Sequence, residues 1–263
     1  MVRESCTIDG KQFCKVGDKQ LRPPIARAGG KSQIADKIID KIPEHKIYVE
    51  PFLGGGAVFL KKPLAQKNVI NDKDKDVATV FKSFKKGDGF NRCDMTPSKE
   101  RFDRIKNKKN KTVCDVAYLN KLSFGSGMNS FAEKKFKGMG NKEVGIKYQK
   151  AHQEDYRNKL KNTSVTNQDF KKTMEKYDSK ATLHYLDPPY YGSDGVYKEK
   201  GVTPKEVCEV VKKMKGKVIL SYNDVPEVRR ACKGLKFRKI DTRYVLAANS
   251  NNKKAKEVLI TNY

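Results

Sequence analysis

The segment 182–191 (TLHYLDPPYY) constrains the fold more than any other part of the chain. Residues 182–186 are a short apolar run with β-branched and aromatic side chains, which predicts a buried strand. Pro188 and Pro189 then end that strand, because a proline ring has no N–H to donate to a sheet ladder. Ligands of open α/β sheets bind at the carboxyl ends of the strands. The sequence therefore predicts a ligand site beside Asp187.

The groups at this strand end suit an amino group carried on a flat ring. The Asp187 carboxylate and the Pro188 carbonyl can accept the two amino hydrogens, while Tyr190 offers an aromatic face for stacking. Held in that way, the amine lone pair can be directed at an electrophilic methyl group. The plain alternative is a proline turn that follows a strand and carries an incidental acidic residue.

Two further strand ends carry residues that suit a ligand. The predicted strand Ile47–Glu50 runs into the turn PFLGGG, residues 51–56, and a helix follows. Glycines lack the Cβ atoms that would keep a ligand away from such a turn. The predicted strand 68–71 ends at Asp72, whose carboxylate can hold two ribose hydroxyls. The third glycine of a dinucleotide fingerprint is absent, so these features predict a nucleoside ligand without phosphates; a tight turn with a solvated aspartate is the alternative.

The charge of the chain favours a polyanionic partner. The 263 residues carry a net charge of +26, and nucleic acid is the leading candidate for such a field. The segment Lys85–Lys161 is rich in lysine and predicts helices rather than strands. Its loop Ser123–Asn141 mixes glycine, aromatic and lysine residues, which suits contacts with phosphates and base edges. A lysine-biased composition and a flexible surface loop are the alternatives.

Other classes of protein are not favoured. None of the six cysteines forms a C-x-x-C pair, so we expect no zinc finger, and an intracellular chain with reduced thiols. No cysteine follows a proline, so the nucleophile of cytosine-carbon methylation is missing. The three histidines show no metal-ligand spacing, and we expect no metal site. We find neither a signal peptide nor an apolar run of about 20 residues that would span a membrane.

Several motifs occur in an order that resembles the Dam-type family of DNA adenine methyltransferases, which use S-adenosylmethionine. The resemblance covers residues 22–263. Its motifs are RAGGK at 27–31, EPFLGGGAVF at 50–59, ND at 71–72, DF at 169–170, DPPY at 187–190, NSNNKK at 249–254 and EVLITNY at 257–263.

The resemblance implies a Rossmann-like α/β methyltransferase sheet with helices on both faces and an inserted, mostly helical DNA-recognition region. The implied division is an N-terminal arm at 1–20, a catalytic domain at 21–84 and 162–263, and a target-recognition insert at 85–161. The implied reaction is site-specific transfer of a methyl group to N6 of a flipped adenine in double-stranded DNA. Methylation of cytosine N4, an inactive DNA-binding relative and an RNA substrate remain alternatives. A cognate restriction endonuclease acting on the same site is a further partner that the family allows.

The resemblance also implies site residues. The implied catalytic residues are Asp187, Pro188, Pro189 and Tyr190. The implied cofactor-binding residues are Arg27, Ala28, Gly29, Lys31, Glu50, Pro51, Phe52, Gly54, Gly56, Asp72, Asp169, Phe170 and Asp187. The expected DNA-binding residues are Lys121, Ser123, Ser126, Asn129, Lys134, Lys135, Asn251, Lys253 and Lys254.

The chain departs from the family pattern at two places. Arg27 stands where the family usually has tryptophan. Members that read GATC carry Asn-Arg and a downstream Gly-x-x-Arg in the recognition region, whereas this chain has Asn120-Lys121, with Asn129 where the second arginine would fall. The resemblance therefore does not imply GATC as the recognition site.

Overall fold

The computed structural model describes residues 7–8, 11–12, 20–136, 145–192, 202–240 and 257–263. The predicted strands of the catalytic part are present, and a short antiparallel pair lies near the N-terminus. The described strands are β1 (Thr7–Ile8), β2 (Lys11–Gln12), β3 (Ile47–Glu50), β4 (Lys67–Asn71), β5 (Thr163–Thr166), β6 (Thr182–Leu186), β7 (Lys217–Asn223), β8 (Lys236–Ile240) and β9 (Glu257–Thr261).

The described helices alternate with the strands, except between β4 and β5, where several helices follow one another. They are α1 (Ala35–Ile39), α2 (Ala57–Lys61), α3 (Lys75–Lys86), α4 (Lys99–Lys106), α5 (Val113–Leu122), α6 (Glu133–Phe136), α7 (Lys147–Ala151), α8 (Gln153–Leu160), α9 (Phe170–Tyr177), α10 (Pro204–Lys213) and α11 (Pro226–Ala231), with a 3₁₀ turn at Phe124–Ser126.

Among the described residues, β3 to β9 form one sheet in the order β5-β4-β3-β6-β7-β9-β8. The first five of these strands are parallel, and β9 runs antiparallel between β7 and β8. The chain builds outward from β3 to one side and then outward from β6 to the other. The switch point of the sheet therefore lies between β3 and β6, where a ligand crevice is expected.

Helices cover both faces of the sheet, because the buried strand residues alternate between two cores. On β7, Ile219 packs with the core formed by helices α1 to α5 and α8, whereas Val218 and Leu220 pack with α9, α10 and α11. This arrangement confirms the predicted α/β fold with helices on both faces.

Residues 85–161 contain α4 to α8 in the part that the structure describes, which agrees with the expected helical character. Tyr118 of α5 and Tyr156 of α8 are buried in the same core as Phe81 of α3. Residues 147–160 form two helices, α7 and α8, because His152 between them has non-helical dihedrals of −112° and 22°. The division into domains stays a prediction.

The expectation of reduced thiols is wrong for four cysteines. Disulfide bonds join Cys93 to Cys114 and Cys208 to Cys232, with Cα–Cα distances of 5.0 and 5.2 Å. The members of each pair lie 21 and 24 residues apart in the chain, so only the folded arrangement of their helices brings them within bonding distance. Cys6 and Cys14 lie outside the described residues. None of the described helices is both long enough and apolar enough to cross a membrane.

The glycine turn after β3 generates a stability prediction. Gly56 has a φ of +73°, and a Cβ atom there would lie 2.7 Å from Cζ of Phe81. We expect Gly56→Ala to lower the free energy of unfolding by about 1–3 kcal/mol, because a left-handed φ strains alanine. Gly127→Ala is the control, since Gly127 has a φ of −75° and a Cβ atom there would meet its nearest neighbour, the Phe124 carbonyl oxygen, at an ordinary contact distance of 3.8 Å. Equal denaturation midpoints for the two variants would contradict the prediction.

Candidate active site

Three acidic side chains lie at the carboxyl edge of the sheet around its switch point. Glu50 is the last residue of β3, and Asp187 directly follows β6. Glu257 begins β9 and pairs with Asn223 at the end of β7, because β9 runs antiparallel to its neighbours. Because β9 is antiparallel, its first residue, Glu257, lies at the same edge of the sheet as the last residues of β3 and β6.

Lys31 is the cation at the centre of these groups. Its Nζ lies 2.6 Å from Oδ1 of Asp187 and 3.7 Å from Oε1 of Glu257. The same atom donates a hydrogen bond of 2.8 Å to the Gly29 carbonyl and lies 4.7 Å from the ring centroid of Tyr190. The Lys31 side chain is only 3% exposed, so these contacts form in a low-dielectric environment that strengthens them.

Tyr190 is fixed at both its hydroxyl group and its ring. The hydroxyl donates a 2.6 Å hydrogen bond to Oε1 of Glu257. The ring stacks on Tyr222 of β7, with centroids 5.8 Å apart and an interplanar angle of 21°. Glu257 and Tyr222 were missed as site residues by sequence reasoning. The one available signal was the position of Glu257 at the start of the closing motif EVLITNY.

Burial raises the carboxyl pKa values at this edge. The pKa of Asp187 is above its ordinary value because of desolvation, which the neighbouring Lys31 ammonium opposes. Desolvation likewise raises the pKa of Glu257, against the same ammonium. For Glu50, burial raises the pKa to about 8, although the Tyr48 hydroxyl donates a 2.7 Å hydrogen bond to its carboxylate.

The glycine turn and Asp72 form a second part of the site. The Gly54 N–H donates to Oδ2 of Asp72 at 2.7 Å, and the Asp74 N–H donates to Oδ1 at 2.9 Å. Each carboxylate oxygen has a further lone pair that a ligand hydroxyl can use. Asp72 is only partly exposed, and desolvation raises its pKa. A positive φ at Gly54 and Gly56 forms the turn beside it.

An aromatic pair continues this edge toward β5. The rings of Phe52 and Phe170 lie 4.9 Å apart between centroids at 33°. Asp169 caps α9 by accepting a hydrogen bond of 2.9 Å from the Lys171 N–H. The Asn71 side chain links the two loops, since its amide donates to carbonyls of both, those of Pro51 and Gln168.

The residue before the N-terminal motif is held by a side chain of α5. The Asn120 side chain accepts a hydrogen bond from the Ala26 N–H at 3.0 Å and donates one to the Ala26 carbonyl at 2.8 Å. Arg27 forms a 2.5 Å ion pair with Asp74 near the start of α3. Asn120 is therefore a third residue whose structural use the sequence did not reveal, because its contact spans 94 positions.

The expected DNA-binding residues fall into two groups in the structure. Ser123 is buried, and its hydroxyl accepts a hydrogen bond from the Met128 N–H. Lys121 is half-buried, and burial lowers its pKa to about 8. Exposed or partly exposed positions are Ser126, Asn129, Lys134 and Lys135. Asn251, Lys253 and Lys254 lie outside the described residues.

An exposed aromatic residue lies between these positions and was missed. The Phe124 side chain is 79% exposed, on a turn in which Gly125, Ser126 and Met128 have φ values of 58° to 59°. Lys106 fixes the far side of this loop by donating a 2.7 Å hydrogen bond to the Asn129 carbonyl. The loop therefore exposes the Phe124 ring to solvent, and the hydrogen bond from Lys106 fixes the backbone of the same loop at Asn129.

The strand order, the glycine turn at the switch point and the acidic strand end before two prolines together define a Rossmann-like methyltransferase. The sequence pattern of the D12 class N6 adenine-specific DNA methyltransferases matches residues 28–246, and the chain belongs to that family. This finding confirms the resemblance inferred from the motifs. The reaction is methyl transfer to the N6 amino group of adenine in DNA.

Individual relatives agree with this assignment. The chain is 29% identical over 207 residues to the type II methyltransferase M.MjaIII of Methanocaldococcus jannaschii, covering 65% of this chain and 70% of that one. It is 25% identical over 191 residues to the type II methyltransferase M.CviBI of Paramecium bursaria Chlorella virus NC1A, with 69% and 72% covered. It is 24% identical over 272 residues to a DNA adenine methylase of Haemophilus influenzae, with 90% and 92% covered.

The raised pKa of Glu50 gives a pH-dependent prediction. Its folded value of about 8 lies above the ordinary value of 4.5, so the folded protein keeps a proton that the unfolded chain releases. Stability from this group is therefore complete below about pH 4.5 and is lost as the pH rises to about 8. We expect the melting temperature of wild type minus that of Glu50→Gln to decrease as the pH rises from about 4.5 to about 8.

Glutamine does not titrate and keeps an oxygen that can accept the Tyr48 hydroxyl, so it isolates the charge of Glu50. Glu44→Gln, at an exposed position before β3, controls for loss of a glutamate elsewhere. A melting-temperature difference between wild type and Glu50→Gln that does not change from pH 5 to pH 9 would show that Glu50 is not the buried acid described.

Proposed function

We propose that the edge of the sheet around Asp187 is where the reaction occurs, with S-adenosylmethionine as methyl donor and a flipped adenine of duplex DNA as acceptor. The observation that carries the proposal is the placement of Asp187, Pro188 and Tyr190 at the switch point of the sheet. The Asp187 carboxylate and the Pro188 carbonyl accept the two amino hydrogens, and Tyr190 stacks on the base. Pro189 holds the turn in one shape, because its φ is fixed.

The cofactor residues fit a nucleoside with a positive charge. Asp72 has acceptor capacity for two ribose hydroxyls, and the Phe52 and Phe170 rings supply an apolar surface for a flat base. The Glu50 carboxyl keeps its proton up to about pH 8, and a cation bound beside it would favour the ionised form. When bound, S-adenosylmethionine supplies a methyl group that its sulfonium makes electrophilic. The N-terminal motif borders the same site, because Lys31 pairs with Asp187 and Arg27 pairs with Asp74.

The residues of the chain act mainly by orientation. An exocyclic amine is a weak nucleophile while its lone pair is delocalised into the ring. Hydrogen bonds from both amino hydrogens to fixed acceptors on Asp187 and Pro188 direct that lone pair out of the ring plane. Direct transfer then needs no covalent enzyme intermediate, and positioning and electrostatics supply the rate.

The basic recognition segment binds the DNA in this proposal. Lys134 and Lys135 of α6 contact phosphates, while Ser126 and Asn129 face base edges. When the adenine rotates out of the helix, the bases next to it lose a stacking partner, and the exposed ring of Phe124 stacks on them instead. The loop that contains Asn251, Lys253 and Lys254 contributes further cations. This substrate places the enzyme inside a cell.

A restriction endonuclease that cleaves the same unmethylated site is the proposed partner. The support is the naming of two relatives as type II methyltransferases. Cleavage protection of plasmid DNA isolated from cells that express this chain, tested against a panel of endonucleases, identifies the site. If the plasmid DNA contains N6-methyladenine but every endonuclease of the panel still cleaves it, the support for this partner is removed.

The role of Asp187 can be tested by substitution. We expect Asp187→Ala to abolish methylation, and Asp187→Asn to lower kcat by at least about 100-fold, since asparagine presents an NH₂ donor toward an amino group. Cofactor affinity, measured by calorimetry, remains largely intact in both variants. Asp224→Ala is the matched control, because Asp224 follows β7 at the same edge but pairs with Arg229. Wild-type turnover by Asp187→Ala would exclude this site.

The DNA contacts predict distinct effects for charge and for stacking. We expect Lys134→Ala with Lys135→Ala to reduce the slope of log affinity against log salt by about 2, because each phosphate contact contributes about 0.9. Phe124→Ala weakens binding by about 1–3 kcal/mol without changing that slope. Fluorescence anisotropy across a salt series measures both effects.

Controls for these variants lie away from the recognition loop. Lys205 and Lys213 are exposed on α10, which packs against the opposite face of the sheet, and their replacement by alanine should leave the slope unchanged. Leu64→Ala removes another exposed apolar side chain. An equal loss of affinity in Leu64→Ala and Phe124→Ala would contradict a specific stacking role.

A further inference from the structure

Lys31 occupies, in the DNA-free protein, the place proposed for the amino group of the target base. Its ammonium lies 2.6 Å from Oδ1 of Asp187 and 4.7 Å from the Tyr190 ring centroid. A flipped adenine would need the same two partners, since its amino group donates to Asp187 and its ring stacks on Tyr190. Lys31 therefore pairs with Asp187 and Tyr190 before the base binds, and the base must compete with the ammonium for these two partners.

A buried ammonium that leaves Asp187 needs another acceptor nearby, because an unpaired charge in this environment is costly. Glu257 meets that need. It is 3% exposed, its Oε1 lies 3.7 Å from Nζ of Lys31, and its Oε2 has no hydrogen-bond partner among the described residues. Nζ of Lys31 already lies 3.7 Å from Oε1 of Glu257, so a small rotamer change of the flexible lysine side chain is enough to bring the two groups into contact.

Glu257 is also fixed in place. Its backbone belongs to β9, between β7 and β8, and its Oε1 accepts the Tyr190 hydroxyl at 2.6 Å. Because β9 has a paired strand on each side and the carboxylate accepts the Tyr190 hydroxyl, Glu257 stays in place when Lys31 turns toward it. The same residue therefore sets the position of the stacking ring and offers a second partner to the cation.

We propose that Glu257 is a positioning residue that receives the Lys31 ammonium when the amino group of the target adenine replaces that ammonium at Asp187. Glu257 acts through Lys31 and Tyr190 and does not itself contact the base. This inference rests on the proposed role of Asp187 and Tyr190 as the adenine site. It assigns Lys31 to the control of that site in addition to its place in the N-terminal motif.

The test measures binding of the flipped base directly. A duplex containing a recognition site identified from methylated DNA keeps adenine at the target position and carries 2-aminopurine as its neighbour, whose fluorescence rises when the target adenine leaves the stack. We expect Glu257→Gln to reduce the bound, flipped fraction relative to the stacked one by about 10-fold to 100-fold, the effect of losing a hydrogen bond to a charged group. Glutamine keeps an oxygen for the Tyr190 hydroxyl, so loss of the negative charge is the main change.

The double variant separates this exchange from a structural role. In Glu257→Gln with Lys31→Met, the competing ammonium is gone, so base binding should recover to at least the wild-type level. A residue needed only for folding would give a double variant as weak as Glu257→Gln or weaker, and that result would overturn the proposal. Lys31→Met alone should bind the flipped base at least as well as wild type, which keeps the proposal testable if Glu257→Gln does not fold.

Controls distinguish failure of this inference from failure of the proposed site. Glu209→Gln removes an exposed charge on α10 and should leave base binding unchanged. If Asp187→Ala lacks activity but Glu257→Gln flips and methylates the base as wild type does, the site stands and the exchange is excluded. If Asp187→Ala keeps full activity, the proposed site itself is wrong.

Discussion

The parallel pairing of β3 with β6 is the contact on which the rest of the site depends. It places Val49 beside His184 and so brings the ends of the two strands together, with Glu50 and Asp187 at one edge. The chain leaves this pair in opposite directions across the sheet, which opens a crevice at the strand ends. The glycine turn, Asp72 and the proline turn then face that crevice from loops of fixed geometry. A shift of one residue in this register would reverse which side chains face each core.

Electrostatics at this edge follow from burial. Asp187, Glu257 and Glu50 lie close to one another, and Lys31 is the cation that pairs with the first two. The pKa values of Asp187 and Glu257 are raised because desolvation outweighs the attraction of the Lys31 ammonium, and that of Glu50 is raised because desolvation outweighs the hydrogen bond from Tyr48. In the proposed function, the carboxyl groups of this crevice attract a cationic methyl donor, whereas the lysine-rich segment 85–161 attracts the phosphates of DNA. The proposal therefore assigns the two substrates to different surfaces that meet at Asp187.

The features that depend on residues close together in the chain could be predicted from the sequence. The bounds of β3 and β6 follow from short apolar or β-branched runs that end at acidic residues and prolines. The family could be inferred because several motifs occur in one order. Both conclusions rest on residues that are near one another in the chain.

The features that the sequence did not reveal depend on distant contacts. The use of Glu257 requires β9 to run antiparallel between β7 and β8, which periodicity alone does not indicate. Asn120 holds Ala26 across 94 positions, and the two disulfides join cysteines on separate segments. Phe124 belongs to the loop that the sequence associates with DNA, but only its 79% exposure in the fold distinguishes this ring from the other aromatic residues of that loop.

Identification of the modified nucleoside tests the central claim most directly. The purified protein is incubated with S-adenosylmethionine carrying a labelled methyl group and with a duplex of mixed sequence, and the DNA is then digested and analysed by mass spectrometry. The structure predicts label in N6-methyldeoxyadenosine at one short sequence. Label in N4-methyldeoxycytidine, or no label from protein that binds both the cofactor and a duplex of verified target sequence, would contradict the account of how Asp187 and Tyr190 orient adenine.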